Sequence, residues 1–357
     1  MTVTATTASS AGPVVDASGV TLRLRDQHGR LRGVRLSQDI RIPGDQLDFG
    51  YRRGWWSLRV ARPAVDRMEY LLELRHPNEG REMIPDPANP LRVAGAFGDK
   101  SVIEFPGYRR PQWLGLPVAP ARVTELAIAS RELGSTIRGL LWSPEALDHE
   151  QPAPLLIAHD GPEYDSLAGL TTFTGAMVEA GRLPPLRVAM LAPGDRNRWY
   201  AVNPAYARTL VGEVLPALAE QAPSSVRIGA GASLGALAML HVHRLSPDAL
   251  DGMFLQSGSF FDLEVDAHER RFSRFGPVTR FVREVVQAVA APRPIPVSMT
   301  CGIIEENLAN NQAMASALRR LGYPVEFAEL RDVHNYTAWR DAFDPRLVEL
   351  VRTVADR

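Results

Sequence analysis

Hydrophobic and polar positions alternate with a period of two along much of the first third of the chain. Val20, Leu22 and Leu24 are interleaved with Thr21, Arg23 and Arg25; later, Met68, Tyr70, Leu72 and Leu74 are interleaved with mostly charged neighbours. Successive side chains of a strand point to opposite faces, so this pattern predicts half-buried strands. Turn-forming clusters separate the runs, as in Pro43-Gly44-Asp45 and Asp86-Pro87-Ala88-Asn89-Pro90. Residues 16–121 are therefore expected to form a small all-β domain, an immunoglobulin-like sandwich, closing with a Pro- and Gly-rich linker at 106–120. Residues 1–15, which open on a Thr-, Ser- and Ala-rich stretch, are expected to be a disordered tail.

From about Arg122 the period changes. Short apolar or β-branched runs at 123–129, 137–142, 155–158, 186–191, 226–229, 252–255, 297–300 and 325–329 alternate with helical stretches. Such alternation predicts an α/β domain over 122–357, with a mostly parallel central sheet and helices on both faces. One helix should begin at Asn203-Pro204, a cap followed by a first-turn proline, and carry Leu210, Val211, Val214, Leu215 and Leu218 on one side. Another carries Met314, Leu318 and Leu321 and stops at Gly322. A last one begins at Asp344-Pro345 and presents Leu347, Leu350, Val351 and Val354.

One predicted strand runs into Gly229-Ala230-Gly231-Ala232-Ser233-Leu234-Gly235 and leaves through Ala236-Leu237-Ala238-Met239-Leu240. A Gly-x-Ser-x-Gly turn between a strand and a helix has the layout of a nucleophile elbow, which pushes the serine hydroxyl clear of the backbone. A serine nucleophile needs a base, and the base needs an acceptor that fixes its tautomer. Downstream of Ser233 the histidines are His241, His243, His268 and His334. His241 and His243 stand two apart on the helix leaving the elbow and point about 200° away from each other, so they read as structural or surface residues. His268 lies in a charged stretch. His334 follows the strand at 325–329 in a short loop, where a hydrolase places its base. The acid should follow the strand at 297–300, where both Glu305 and Glu306 stand; on the residues alone, either serves.

Composition then narrows the field. The 357 residues are 45% hydrophobic and 23% charged, enough to bury a core in two domains. A net charge of −1 provides no whole-molecule basic field for nucleic acid or an anionic membrane. Cys301 is the only cysteine, which excludes an intrachain disulfide and a thiolate metal cluster. No metal site or cofactor is read from the sequence. The N-terminus lacks the basic and apolar regions of a secretory signal, and no apolar run approaches the roughly 20 residues of a membrane span. A cytoplasmic protein with a small-molecule substrate is expected, without nucleic-acid or membrane partners; the oligomeric state is not legible.

Between two core strands, the segment 260–283 interleaves Phe260, Phe261, Phe272, Phe275 and Phe281 with Arg270, Arg271, Arg274, Arg280 and Arg283. Aromatic and guanidinium groups together suit an anionic, aromatic ligand. Arg196, Arg198 and Trp199, in the loop after another strand, add to such a pocket. The alternative is an amphipathic surface helix near 279–288 with solvated arginines.

Several of these segments resemble the enterochelin (enterobactin) esterase branch of a family of α/β-hydrolases related to mycolyltransferases and feruloyl esterases. The elbow around Ser233 is similar to that family's, as are Leu255-Gln256-Ser257-Gly258-Ser259-Phe260, Cys301-Gly302 with Glu305 and Asn311-Gln312, and His334 with Trp339-Arg340. Upstream, Trp56, Tyr70, Asp86-Pro87 and Asn89-Pro90 resemble its N-terminal β-domain. The resemblance implies a serine esterase with Ser233 as nucleophile, His334 as base and Glu305 as acid, acting on a siderophore-type ester or macrolactone, iron-bound or iron-free. Alternatives on the same fold are an acyltransferase, another carboxylesterase, or a non-catalytic ligand-binding relative.

One departure stands out. The family places an Asp-Gly-x turn whose third amide helps to bind the oxyanion; here the turn is Asp160-Gly161-Pro162, and proline has no N–H. The amide of Leu234 remains as one donor. The second is expected from the amide of Glu163 or the side chain of His159.

Overall fold

The computed structural model describes residues 12–78 and 80–357, so the expected tail at 1–11 lies outside the described residues. They divide into two compact units, one reaching to Arg109 together with Arg331–Val333, the other comprising Arg110–Leu330 and His334–Arg357.

The first unit is all-β. Its strands are β1 (Val14–Asp16), β2 (Gly19–Arg25), β3 (Gly33–Gln38), β4 (Gly50–Arg52) and β5 (Trp55–Ala61). They continue with β6 (Arg67–Arg75), β7 (Arg81–Ile84), β8 (Arg92–Val93) and β9 (Lys100–Glu104). One sheet runs β1-β2-β5-β4 and the other β3-β6-β9-β8 with β7 beside β6, every pairing antiparallel. The alternation places Val20, Leu22 and Leu24 of β2 and Met68, Tyr70 and Leu72 of β6 in the core. Val14 and Val15, expected in the tail, pair with β2. The turn at Asp86 is buried rather than solvated: the Tyr70 hydroxyl donates to Asp86 at 2.7 Å, and Asn89 donates to the Val102 carbonyl at 2.7 Å.

The second unit carries β10 (Ala121–Ser130), β11 (Ser135–Pro144), β12 (Ala153–His159), β13 (Arg187–Leu191), β14 (Ser224–Ala232), β15 (Gly252–Gln256), β16 (Val297–Gly302) and β17 (Val325–Leu330). The sheet order is β10-β11-β13-β12-β14-β15-β16-β17. It is mixed: β10, β11 and β13 are joined by antiparallel pairings, and β13 onward by parallel ones. The parallel strands β12, β13, β15 and β16 are buried along their whole length, as strands covered on both faces must be. Alternate residues of β12 face opposite ways, Leu155 and Ile157 into one core cluster and Leu156 and Ala158 into the other.

The helices are α1 (Gly161–Ala168), α2 (Leu170–Glu179), α3 (Arg196–Tyr200), α4 (Pro204–Thr209) and α5 (Leu215–Gln221). They continue with α6 (Leu234–Leu245), α7 (Phe275–Gln287), α8 (Leu308–Arg320), α9 (Tyr336–Asp341) and α10 (Val348–Ala355). Asn203 caps α4 by accepting from the Ala205 amide, and Gly322 takes up a φ of 88° just past α8. The stretch expected as a linker carries a core residue: Trp113, in a short 3₁₀ turn at Gln112–Gly115, is 1% exposed and meets Phe173 edge-on at 5.2 Å. Among the described residues no helix is long and apolar enough to cross a membrane.

Three histidines of this unit are held in the interior. Burial pushes the imidazoles of His159, His241 and His243 down to about 4 from the ordinary 6.5. The unfolded chain takes up their protons first, so their contribution is complete above pH 6.5 and is lost as pH falls toward 4. The slope there is on the order of 1.4 kcal/mol per pH unit for each. Melting temperatures measured between pH 7.5 and 4 should fall steeply below pH 6.5; a flat profile down to pH 5 would contradict the assignment of three buried neutral imidazoles.

Candidate active site

Four adjacent parallel strands, β14, β15, β16 and β17, end on the same edge of the sheet, and each delivers one part of a polar array. Ser233 follows β14, Ser257 to Ser259 follow β15, Glu305 follows β16 and His334 follows β17. Crevices beyond the carboxyl ends of such strands are where open α/β sheets gather their chemistry.

Ser233 sits at φ 56°, ψ −123°, a conformation that side-chain-bearing residues rarely adopt. The glycines beside it follow from that geometry. A Cβ on Gly231 would lie 2.5 Å from the Gly235 carbonyl carbon, and one on Gly235 would lie 3.1 Å from the His159 Cβ. The turn closes only with small residues there. Ser233 precedes the first turn of α6, whose unpaired amides and positive dipole end begin at Leu234. Its hydroxyl is hydrogen-bonded to that of Ser259 at 3.0 Å.

His334 and Glu305 are in direct contact. His334 Nδ1 lies 2.7 Å from Glu305 Oε2, while the other carboxylate oxygen accepts from the Gly302 amide at 2.7 Å and the Ser257 hydroxyl at 2.8 Å. The Glu305 side chain is 2% exposed and that of His334 is 38% exposed. Glu305 is thus a buried carboxylate with both oxygens engaged, which is what makes its burial tolerable. Glu306, the rival on the residues alone, points to solvent and pairs with His268 at 3.1 Å. Neither Glu306 nor His268 joins the array.

In the sequence, Gln256, Asn311 and Trp339 carried only the resemblance; their part in holding this array was not legible there. Trp339 donates its indole N–H to Ser257 at 3.0 Å, meets His334 edge-on at 5.1 Å, and is anchored at its carbonyl by Gln256 at 3.1 Å. Gln256 also accepts from the Tyr164 hydroxyl. Asn311, wholly buried, clamps Gly258 by accepting from its amide and donating to its carbonyl, both at 2.9 Å. The signal available was a run of small polar residues, Ser257-Gly258-Ser259, directly after a strand whose five residues are buried. Cys301 is buried, and burial followed by the neighbouring Glu305 pushes its thiol well up, so it is no nucleophile.

The loop after β12 is the other wall. Asp160 takes a left-handed conformation (φ 51°) and opens α1, with Pro162 in the first turn. Arg196 grips both carboxylate oxygens of Asp160 at 2.8 Å, so this arginine secures the loop. His159 is no candidate donor. Its Nδ1 lies 3.0 Å from the Gly235 carbonyl, which only accepts, so Nδ1 carries the proton and Nε2 accepts from the Tyr206 hydroxyl at 2.8 Å. Both nitrogens are occupied. The amides of the first turn of α1, that of Glu163 among them, have no carbonyl four residues back within the helix.

The expected ligand-facing residues fare differently. Phe260 is 1% exposed and Trp199 7%, both in the core cluster, so neither presents a face to a ligand. Arg274 donates to the carbonyls of Ala201 and Val202 at 3.2 and 3.0 Å. Arg198 and Arg270 are exposed. The amphipathic alternative describes α7 correctly: Phe275, Val278, Phe281, Val282 and Val285 face the core while Arg280 and Arg283 face water. His241 and His243 are both interior, the latter bonded to the Arg293 carbonyl at 3.0 Å and the Tyr323 hydroxyl at 3.1 Å.

No family sequence model and no curated protein matches this chain. Solved structures do. A ferric enterobactin esterase from Salmonella typhimurium superposes with a TM-score of 0.79 at 19% identity, covering 98% of each chain. The enterobactin esterase of Shigella flexneri, solved in the presence of enterobactin, gives 0.78 at 18% identity over 97% of each. A ferulic acid esterase gives 0.53 at 17% identity, covering 66% of this chain and 98% of its own. Over nearly its whole length, this chain has the fold of the enterobactin esterases.

Proposed function

We propose that the chain is a serine esterase. The observation that carries this reading is the Glu305–His334 pair at 2.7 Å, on the same edge of the sheet as the strained Ser233 turn. The order along the chain, serine then acid then histidine, is that of α/β-hydrolases. Ser233 Oγ attacks the ester carbonyl while His334 Nε2 takes its proton, and Glu305 holds the imidazole with the proton on Nδ1 and stabilises the imidazolium. The Leu234 amide at the start of α6 and the Glu163 amide of α1 receive the oxyanion. The imidazolium returns its proton to the departing alcohol, and a water activated by the same histidine releases the acid. Catalytic hydrogen bonds of this kind commonly tighten only around substrate, consistent with the Ser233 hydroxyl resting on Ser259.

The substrate class we infer is a siderophore-type ester or macrolactone, supported by the likeness to enterobactin esterases over the full chain. Mass spectrometry of products from a panel of catecholate lactones, iron-loaded and iron-free, against simple aryl esters tests it. Ring-opened lactone should be the favoured product; a preference for aryl esters by orders of magnitude would sink the substrate class while leaving the esterase standing.

Pro162 supports a second reading, a relative with weakened chemistry, because loss of one oxyanion donor costs roughly 10²–10³ in turnover. Pro162→Ala separates the two. With Glu163 as the second donor, kcat should stay within about threefold of wild type. A rise of about tenfold or more would place the missing donor at position 162 and show the wild type to be impaired there.

A further inference from the structure

A cavity of about 510 Å³ opens between the far half of α6, the start of α4 and α7. Its lining includes His241 and Arg244 of α6, eight and eleven residues beyond Ser233. At 1.5 Å per residue these stand about 12–16 Å along the helix from the elbow, so the cavity is distinct from the site above. Arg274, Arg280, Phe281 and Glu284 complete the part of the lining that matters.

The charge of this lining is unbalanced. Three guanidinium groups face one carboxylate, and among the described residues neither Arg244 nor Arg280 has a hydrogen-bond or ion-pair partner. Arg274 bonds only to two main-chain carbonyls. Arg244 lines the cavity, and its Nη1, shut off from solvent, makes no hydrogen bond, so the side chain must turn to bring that group to an anion. A buried guanidinium N–H without an acceptor is unfavourable and rare in folded proteins. Elsewhere in this unit, arginines at similar depth are matched: Arg182 with Asp344, Arg196 with Asp160, Arg293 with Asp251. The rest of the wall is apolar, and His241, edge-on to Phe281 at 5.1 Å, is itself without a hydrogen-bond partner among the described residues.

We propose that this cavity binds a small organic anion, a phosphate or carboxylate head on an apolar body, with Arg244 and Arg280 closing on the head beside His241 while the body lies against Phe281. A volume of this order lies in the range of small-molecule pockets and leaves room for a ligand with an apolar body, and the planar guanidinium fork matches either oxyanion. This inference stands apart from the esterase reading, since the cavity shares no residue with the Ser233 array.

Calorimetric titration of the full chain with phenyl phosphate, and separately with benzoate, tests it; phenol serves as the neutral control. Saturable binding of at least one anion is expected, weakening with added salt, and the tighter of the two identifies the head group. Arg244→Gln with Arg280→Gln should weaken that binding by about tenfold or more. Arg280→Gln alone, at an exposed position, serves should the pair not fold, with a loss of about threefold to tenfold expected. Undetectable binding of both anions at millimolar concentration, binding of phenol as tight as the anions, or affinity unchanged in the folded variants would each overturn the proposal.

Discussion

His334→Ala is expected to lower kcat for ester hydrolysis by about 10⁴- to 10⁶-fold with KM little changed, because in the proposed mechanism it removes the general base. His334 is the side chain that Glu305 holds by Nδ1, at 2.7 Å, which leaves Nε2 for the serine. Its imidazole is more than a third exposed, so the substitution empties little core volume; it does strip Glu305 Oε2 of its partner, so the variant should fold but melt below the wild type. Glu305 would keep the Gly302 amide and the Ser257 hydroxyl as donors. Steady-state kinetics on one ester, with a thermal melt beside them, decides the matter. A folded variant retaining more than about a hundredth of wild-type kcat would remove His334 from the role of base.

The second large effect separates two neighbouring glutamates. Glu305→Gln should cost about 10⁴ in kcat, whereas Glu306→Gln should leave it within about threefold. The reason is a conflict of donors. One oxygen of Glu305 accepts from the Gly302 amide, which can only donate, and from the Ser257 hydroxyl, which also accepts from the Trp339 indole. A glutamine keeps both bonds only by turning its carbonyl that way, which aims its NH₂ at His334 Nδ1. The histidine then carries its proton on Nε2 and cannot take one from Ser233. Glu306 has only the exposed contact to His268, worth at most about 1 kcal/mol at a surface. Equal rates for the two variants would contradict the assignment of the acid.

Much of this was legible in the sequence, and for identifiable reasons. Apolar runs of strand length mark β12, β13, β15 and β16 because buried parallel strands admit little else, and the elbow betrays itself because Gly231 is sterically compelled and Gly235 tightly confined. Asn203-Pro204 and Gly322 announced helix ends through capping chemistry that is local in the chain. What stayed hidden depends on distant partners. Glu305 and Glu306 are identical as residues, and only the turn after β16 decides which one is buried. Trp113 looked like part of a linker because its burial is set by Phe173 and Phe343, far along the chain. Arg196 was expected to meet a ligand, yet it grips Asp160 from thirty-six residues away. The phenylalanines of 260–283 read as a ligand surface until the face of α7 that turns inward was known.

The central claim is that Ser233 is an activated nucleophile, and intact-mass analysis after treatment with a fluorophosphonate tests it most directly. The account predicts one stoichiometric adduct on the wild type, mapped by peptide sequencing to Ser233, with labelling abolished in Ser233→Ala and strongly slowed in His334→Ala. A folded wild type that takes up no label, or one labelled equally when Ser233 is alanine, would contradict it.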